Sequence, residues 1–171
     1  AGYYRDWIDS NGLARTYLYV WQNYLAIEYG VANTSQASSI LSAIDGRQRD
    51  IEKTYNLTTG LWCAPTNLYP VSVPDLKSDF DGQDSFGHYE NGCCFYWHSG
   101  LAYLARGRQL GADAALDGLA GMIPEFNRSR FWGQRYSWLQ DSVLGLDVIT
   151  DGLMALRGGL WGAFGVRPTL L

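Results

Sequence analysis

Residues 94–126, CFYWHSGLAYLARGRQLGADAALDGLAGMIPEF, carry the pattern that decides the fold. Cys94, Trp97, His98, Leu101, Leu104 and Ala105 recur at three- and four-residue spacing, the period of a helix with one buried face. Gly111 interrupts, and a second stripe follows in Ala115, Leu116, Leu119, Met122, Ile123 and Phe126. Two helices, 94–110 and 113–126, joined across a single break, fold back on each other as an antiparallel hairpin. Pro124 costs little if it bends the last turn and much if the helix runs on past it.

The same reading extends to both sides. From Thr16 to Gly30, Tyr17, Val20, Trp21, Tyr24, Leu25 and Ile27 form an amphipathic stripe that Gly30 ends as a C-terminal cap. Thr34 or Ser35 then caps a second helix, 35–50, whose apolar face is Ala37, Ile40, Leu41 and Ile44, giving another antiparallel hairpin. The charged run GRQRDIEKTY either extends that helix or forms a solvated turn. A last helical region spans 144–164, and Gly158-Gly159 inside it predicts a break into two helices, the second short. Between these lie two irregular, aromatic stretches: residues 56–91, with short strands expected at Leu61–Ala64 and Ser72–Val73, and RSRFWGQRYSWLQD at 128–141. A loop as long as the first is either functional or a sign of misassigned elements. The expectation is one all-α domain over 1–171, built from five or six helices in three hairpins.

Composition narrows the function. The chain has 171 residues, 18% of them charged, with net charge −4 and no basic cluster, so neither a surface for tracking phosphates nor a nucleic-acid partner is expected. No run reaches the ~18 apolar residues of a membrane span, and the N-terminus AGYYRDWIDS lacks a signal-peptide layout; no membrane partner is expected. Three cysteines, two adjacent at Cys93 and Cys94, make no disulfide framework and no zinc spacing, and read as structural thiols. Sequons at Asn33, Asn56 and Asn127 read as chance matches. The 7 Trp, 12 Tyr and 6 Phe stand out because many lie beside Gly, Asn, Asp or Arg. They serve either as core filler or as stacking platforms in a carbohydrate cleft, with composition alone favouring the core.

The segment NYLAIEYGVANTSQASSIL (23–41) together with FGHYENGCCFYWHSGLAYLARGRQLGADAAL (86–116) resembles the catalytic domains of bacterial six-hairpin glycosidases. YRDWIDSNG near the start and LWGAFGVRPTL near the end are similar to segments of the same family. The resemblance implies an (α/α)6 toroid in which hairpins surround a cleft and loops at one end hold the sugar. A full toroid has twelve helices and needs about twice this chain at ~1.5 Å per helical residue and ordinary loop lengths. The chain is therefore expected to be about half a toroid, the C-terminal half, completed by a homodimeric copy or by the missing N-terminal half. Uncovered inner helices would otherwise expose apolar stripes.

The resemblance also implies a carbohydrate substrate; no metal and no cofactor are expected. Glycoside hydrolysis needs two carboxyl groups, ~6.5–9.5 Å apart in inverting enzymes. Glu90 in HYENG is the first candidate, flanked by His88, Tyr89 and Asn91 as substrate-binding groups; the alternative is a helix-start carboxylate with a stabilising role. Asp6 and Asp9 in YRDWIDSNG, beside Trp7, are the second catalytic candidates, with an Asx-turn as the alternative for Asp9. Trp132, Arg135 and Trp138 in FWGQRYSW form a further stacking and hydrogen-bonding platform, or pack over the bundle end. His98 reads as a core or positioning histidine. Asp79, Asp81 and Asp84 read as a solvated loop, without EF-hand spacing. The expected function is an inverting glycoside hydrolase acting on oligo- or polysaccharide, against a non-catalytic carbohydrate-binding or assembly domain as the alternative.

Overall fold

Apolar periodicity becomes helix in five places in the computed structural model of the protein, which describes residues 2–57, 62–72, 86–129, 135–138, 142–144 and 149–165. These are α1 (Val20–Glu28), α2 (Thr34–Thr54), α3 (Tyr96–Leu110), α4 (Ala112–Ser129) and α5 (Ile149–Phe164). The chain is mostly helical, as its periodicity implies. Five short strands accompany the helices: β1 (Trp7–Ile8) pairs with β2 (Ala14–Arg15), and β3 (Cys94–Phe95), β4 (Arg135–Ser137) and β5 (Ser142–Leu144) form an antiparallel sheet in the order β3-β4-β5.

Side-chain contacts set the helix directions. Trp21 meets Trp97 at the starts of α1 and α3, with ring centroids 6.1 Å apart, and Arg108 near the end of α3 donates to the carbonyl of Glu28 at the end of α1. Those two helices therefore run parallel. Gly100 of α3 meets Met154 and Gly158 of α5, and Gly107 meets Gly162, so α5 is parallel as well. The partners of α4 run the other way, Gly159 against Leu119 and Gly162 against Ala115. On α2, Asp45 pairs with Arg106, while the amide of Gln109 donates to the Thr34 carbonyl (3.1 Å) and Ser38 Oγ (2.9 Å). The result is a layer of three parallel helices, α1, α3 and α5, backed by antiparallel α2 and α4. Tyr24, Ile27, Ile40, Leu41, Ile44, Ile51, Tyr103, Ala105 and Met122 fill the space between the layers, each large apolar side chain contributing about 1.5–3 kcal/mol on burial.

Local differences from the periodicity have physical causes. The first helix starts at Val20 and not at Thr16, because Leu18 has φ 54° and the amides of Tyr17 and Tyr19 are held by Asp6. Asn33 caps α2 in place of Thr34 or Ser35, in a reciprocal capping box with Gln36. The charged run extends α2 to Thr54, and α4 continues through Pro124 to Ser129. The expected break at Gly158-Gly159 does not occur: α5 is continuous, and its glycines serve contact with its neighbours. No strand forms at the described residues of Leu61–Ala64 or at Ser72.

The cysteine reading is corrected too. Cys63 and Cys94 form a disulfide, with Cα atoms 5.7 Å apart, while Cys93 is a buried thiol. The vicinal pair does not bridge, but its second member reaches across 31 residues of sequence to the irregular stretch. In the chain-entropy description a loop of that size is worth about 3–4 kcal/mol. The bridge fixes 62–68 against β3, where the Thr66 amide also donates to the Cys93 carbonyl (2.9 Å).

Candidate active site at the start of the parallel helices

The motif HYENG is a tight turn. The Asn91 amide donates to the His88 carbonyl (2.8 Å), the Gly87 amide to the Asn91 carbonyl (2.6 Å), and the Cys93 amide to the Tyr89 carbonyl (3.1 Å). Tyr89 sits at φ 34° and Gly92 at φ 95°; a Cβ on Gly92 would fall 2.7 Å from the Phe86 ring, so this position requires glycine. Buried Asn91 secures the turn from behind, its Oδ1 accepting from the Val71 amide (2.9 Å) and Asn67 Nδ2 (3.2 Å). Trp138, also buried, donates Nε1–H to the Gly92 carbonyl (2.7 Å) and meets Tyr55 and Phe86 edge-on. Held this way, the turn leaves Glu90 exposed at its tip.

Glu90 borders a cavity of about 320 Å³ whose walls are Trp7, Tyr19, Trp21, Gln22, Thr66, Phe95, Trp97 and His98. The parallel run of α1 and α3 explains why these rings meet. Both first turns lie at the same end of the layer, so Trp21 and Gln22 of α1 come beside Trp97 and His98 of α3. Phe95 enters from β3 and Trp7 from β1, where it packs tilted against Tyr17 and Tyr19, with centroids at 5.5 and 6.2 Å. Tyr89 stays outside the lining and meets Phe95 edge-on at 5.9 Å.

The electrostatics converge on Tyr19. Its hydroxyl is pushed up to about 12, first by burial, then by the charge of Asp6 and then by that of Glu90. The first two carboxylate candidates therefore share one neighbourhood. Asp6 is half-buried and accepts from the amides of Tyr17 and of Tyr19 (2.9 Å). Burial raises its carboxyl above the usual range while these amides pull it back. Asp9 has a different task. One oxygen accepts from the Asn11 and Leu13 amides (both 2.9 Å), and the other pairs with Arg15 at 3.2 Å. That is the Asx-turn of a hairpin, and Asp9 does not line the cavity.

His98 lies at the back of the site with 2% of its surface exposed. Its ring packs against Trp97 at 3.9 Å and Phe95 at 5.4 Å between centroids. Burial pushes its pKa down to about 3, so the imidazole is neutral at ordinary pH. Its Nδ1 is buried and has no hydrogen-bond partner among the described residues.

The cavity thus gathers Glu90 and Trp7 from the sequence candidates, with Asp6 close behind. His88 and Asn91 build the turn instead of lining the cavity, and Trp138 is buried behind it. Arg135 lies on β4, its backbone paired with Phe95, and Trp132 falls outside the described residues, as do Asp79, Asp81 and Asp84. Tyr19, Trp21, Gln22, Thr66, Phe95 and Trp97 were not legible as site residues. Among the described residues no group of three or more His, Cys, Asp or Glu is placed to hold a metal, and no helix is long and apolar enough to cross a membrane. No protein-family model and no curated protein matches the chain.

Proposed function

We propose that this protein is the carbohydrate-processing half of a glycoside hydrolase, with Glu90 as the carboxyl group that exchanges a proton with the glycosidic oxygen or with water. The observation that carries this reading is the convergence of Trp7, Tyr19, Trp21 and Trp97 on one small cavity that also holds Glu90. Flat rings stack on the apolar faces of a pyranose, and a lone carboxylate among them either bonds hydroxyls or moves a proton. Asp6, sharing the surroundings of Tyr19, is the proposed second carboxylate or the group that holds the first in place. The Cys63–Cys94 bridge suits an oxidising compartment, where extracellular glycosidases work.

In the same reading the parallel layer α1, α3, α5 is the inner wall of half an (α/α)6 toroid, with α2 and α4 outside it. Leu153, Leu160 and Phe164 stand exposed along α5, where the next inner helix of a toroid would pack. A second copy of the chain or an N-terminal half of the same enzyme would cover them.

A second reading has its own support. Glu90 is the single carboxylate among the described lining residues, and both oxygens of Asp6 and of Asp9 already accept hydrogen bonds or an ion pair. A site of this kind binds sugar without cleaving it. Glu90→Gln separates the readings: loss of 10²–10⁴ in turnover of aryl glycosides with unchanged melting supports catalysis. Wild-type protein that binds glycosides but hydrolyses none of a broad panel is instead a binding domain. A variant that cleaves as fast as wild type removes Glu90 from the chemistry.

A further inference from the structure

We infer that the cavity at the start of α1 and α3 takes a single uncharged pyranose ring, excludes acidic sugars, and reads one ring hydroxyl through Nδ1 of His98. The inference rests on the carbohydrate reading above and names the substrate class of that site. Three observations carry it.

The first is the unmet hydrogen-bonding capacity of His98. A buried ring nitrogen without a partner costs free energy in the folded protein, because nothing replaces the water it has lost. Such an atom beside a cavity is satisfied when a ligand hydroxyl reaches it. The ring contacts of the imidazole are with Trp97 and Phe95, and among the described residues none donates to or accepts from Nδ1, so the hydroxyl of a sugar bound in the cavity would supply the missing partner. A hydroxyl is suited to this position whichever tautomer is present, since it both donates and accepts.

The second is charge. Glu90 borders the cavity, Asp6 lies behind Tyr19, and no Lys or Arg is among the described lining residues. A carboxylate, sulfate or phosphate on the sugar would approach like charge at Glu90, with no cation among the described lining residues to offset it. Sites for acidic sugars need paired donors of the arginine type, and this cavity has none among the described residues.

The third is size. A volume of about 320 Å³ stands at the low end of the ~300–1,000 Å³ span of ligand pockets, enough for one ring and its hydroxyls. His98 acts by orienting that ring towards Glu90, which makes it a positioning residue.

The test uses calorimetric titration of the whole chain at pH 7 with the methyl α- and β-glycosides of glucose, galactose and mannose, and with methyl glucuronide. At least one neutral glycoside is expected to bind, and methyl glucuronide to bind tenfold or more weakly. His98→Phe keeps a ring of similar size but removes Nδ1; its affinity for the neutral glycoside should fall about tenfold or more. His98→Asn places a polar atom near the lost Nδ1 and should recover part of that affinity. In wild-type protein the Nδ1 nitrogen resonance of His98 should shift on saturation with the glycoside, a response that a merely structural histidine would not give. If His98→Phe, folded by near-ultraviolet circular dichroism, binds the neutral glycoside as tightly as wild type, the role of His98 is overturned and the carbohydrate reading stands. Should His98→Phe fail to fold, a resonance that does not move on binding overturns it instead. Equal affinity for glucuronide and glucoside overturns the exclusion of acidic sugars. Absence of binding by every glycoside overturns the carbohydrate reading and this inference together.

Discussion

The contact between α3 and α5 and the cavity at the start of α1 and α3 use the same helix for opposite purposes. Along its middle and end α3 gives up side chains: Gly100 and Gly107 face the α5 backbone so closely that a Cβ at Gly100 would lie 2.2 Å from the Met154 carbonyl oxygen. At its start the helix carries its bulkiest rings, and Trp97 and His98 keep open a space that nothing in the described protein fills. Close packing is stiff because any added atom displaces backbone, whereas a ring-lined cavity can admit a ligand without moving the scaffold. The parallel layer acts as a rigid frame, and the site is grafted on the one end where its loops converge.

The sharpest way to break this contrast is to add one methyl group to the stiff region. Gly158→Ala places a Cβ where the Gly100 carbonyl oxygen is now 2.1 Å away, so the two helices must separate. The expected cost is about 3 kcal/mol, the upper end for overpacking, read as a melting point lower by roughly 10 °C for a chain of this size. Gly46→Ala on α2 meets nothing within 4 Å and should stabilise the protein by up to ~1 kcal/mol through helix propensity. Equal effects of the two substitutions in thermal melting would refute the close contact of α3 with α5.

A smaller effect separates the two N-terminal carboxylates. Asp6→Ala leaves the amides of Tyr17 and Tyr19 without their acceptor around the left-handed Leu18, and should cost about 2 kcal/mol in urea unfolding and weaken glycoside binding. Asp9→Ala disrupts only an exposed turn and a surface ion pair, about 1 kcal/mol or less, and should leave binding intact. Loss of binding in the Asp9 variant alone would reverse their assignment.

Periodicity sufficed for α1 and α2 because each buries one stripe, and the local spacing of apolar residues reports that directly, whereas α3 is buried on almost every side over its first ten residues. It failed where a residue serves a distant partner. Gly158 and Gly159 look like a helix break in isolation; only the presence of α3 against Gly158 and of α4 against Gly159 shows why side chains are absent there. Cys63 and Cys94 are 31 residues apart, and no local pattern pairs them. In the site, Glu90 and Trp7 were legible because each stands beside turn residues. Trp21 and Trp97 were read as core stripe, since a ring that lines a cavity and a ring that fills a core have the same helical spacing. Only the parallel course of α1 and α3, a long-range property, distinguishes them.

The smallest effect concerns His98 and pH. In the unfolded chain its imidazole titrates near the ordinary value of 6.5, while burial in the native protein pushes it to about 3. A folded state that resists protonation has stability that is complete above pH 6.5 and is lost progressively as pH falls from there towards 3, because unfolding then takes up a proton. The slope is about 1.4 kcal/mol per pH unit once below 6.5, so moving from pH 7 to 5.5 should remove roughly 1 kcal/mol through this residue. Asp6 acts in the opposite direction, since its raised carboxyl pKa favours the folded state at low pH and that contribution fades as pH rises through it. Comparing wild type with His98→Asn cancels Asp6 and every other group common to both. Urea unfolding at pH 7 and 5.5 should show the variant losing about 1 kcal/mol less than wild type over this interval. Parallel losses in the two proteins would mean that His98 is hydrated and able to take up a proton in the native state, and the site would then carry a cation beside Glu90 in place of a neutral reader of hydroxyls.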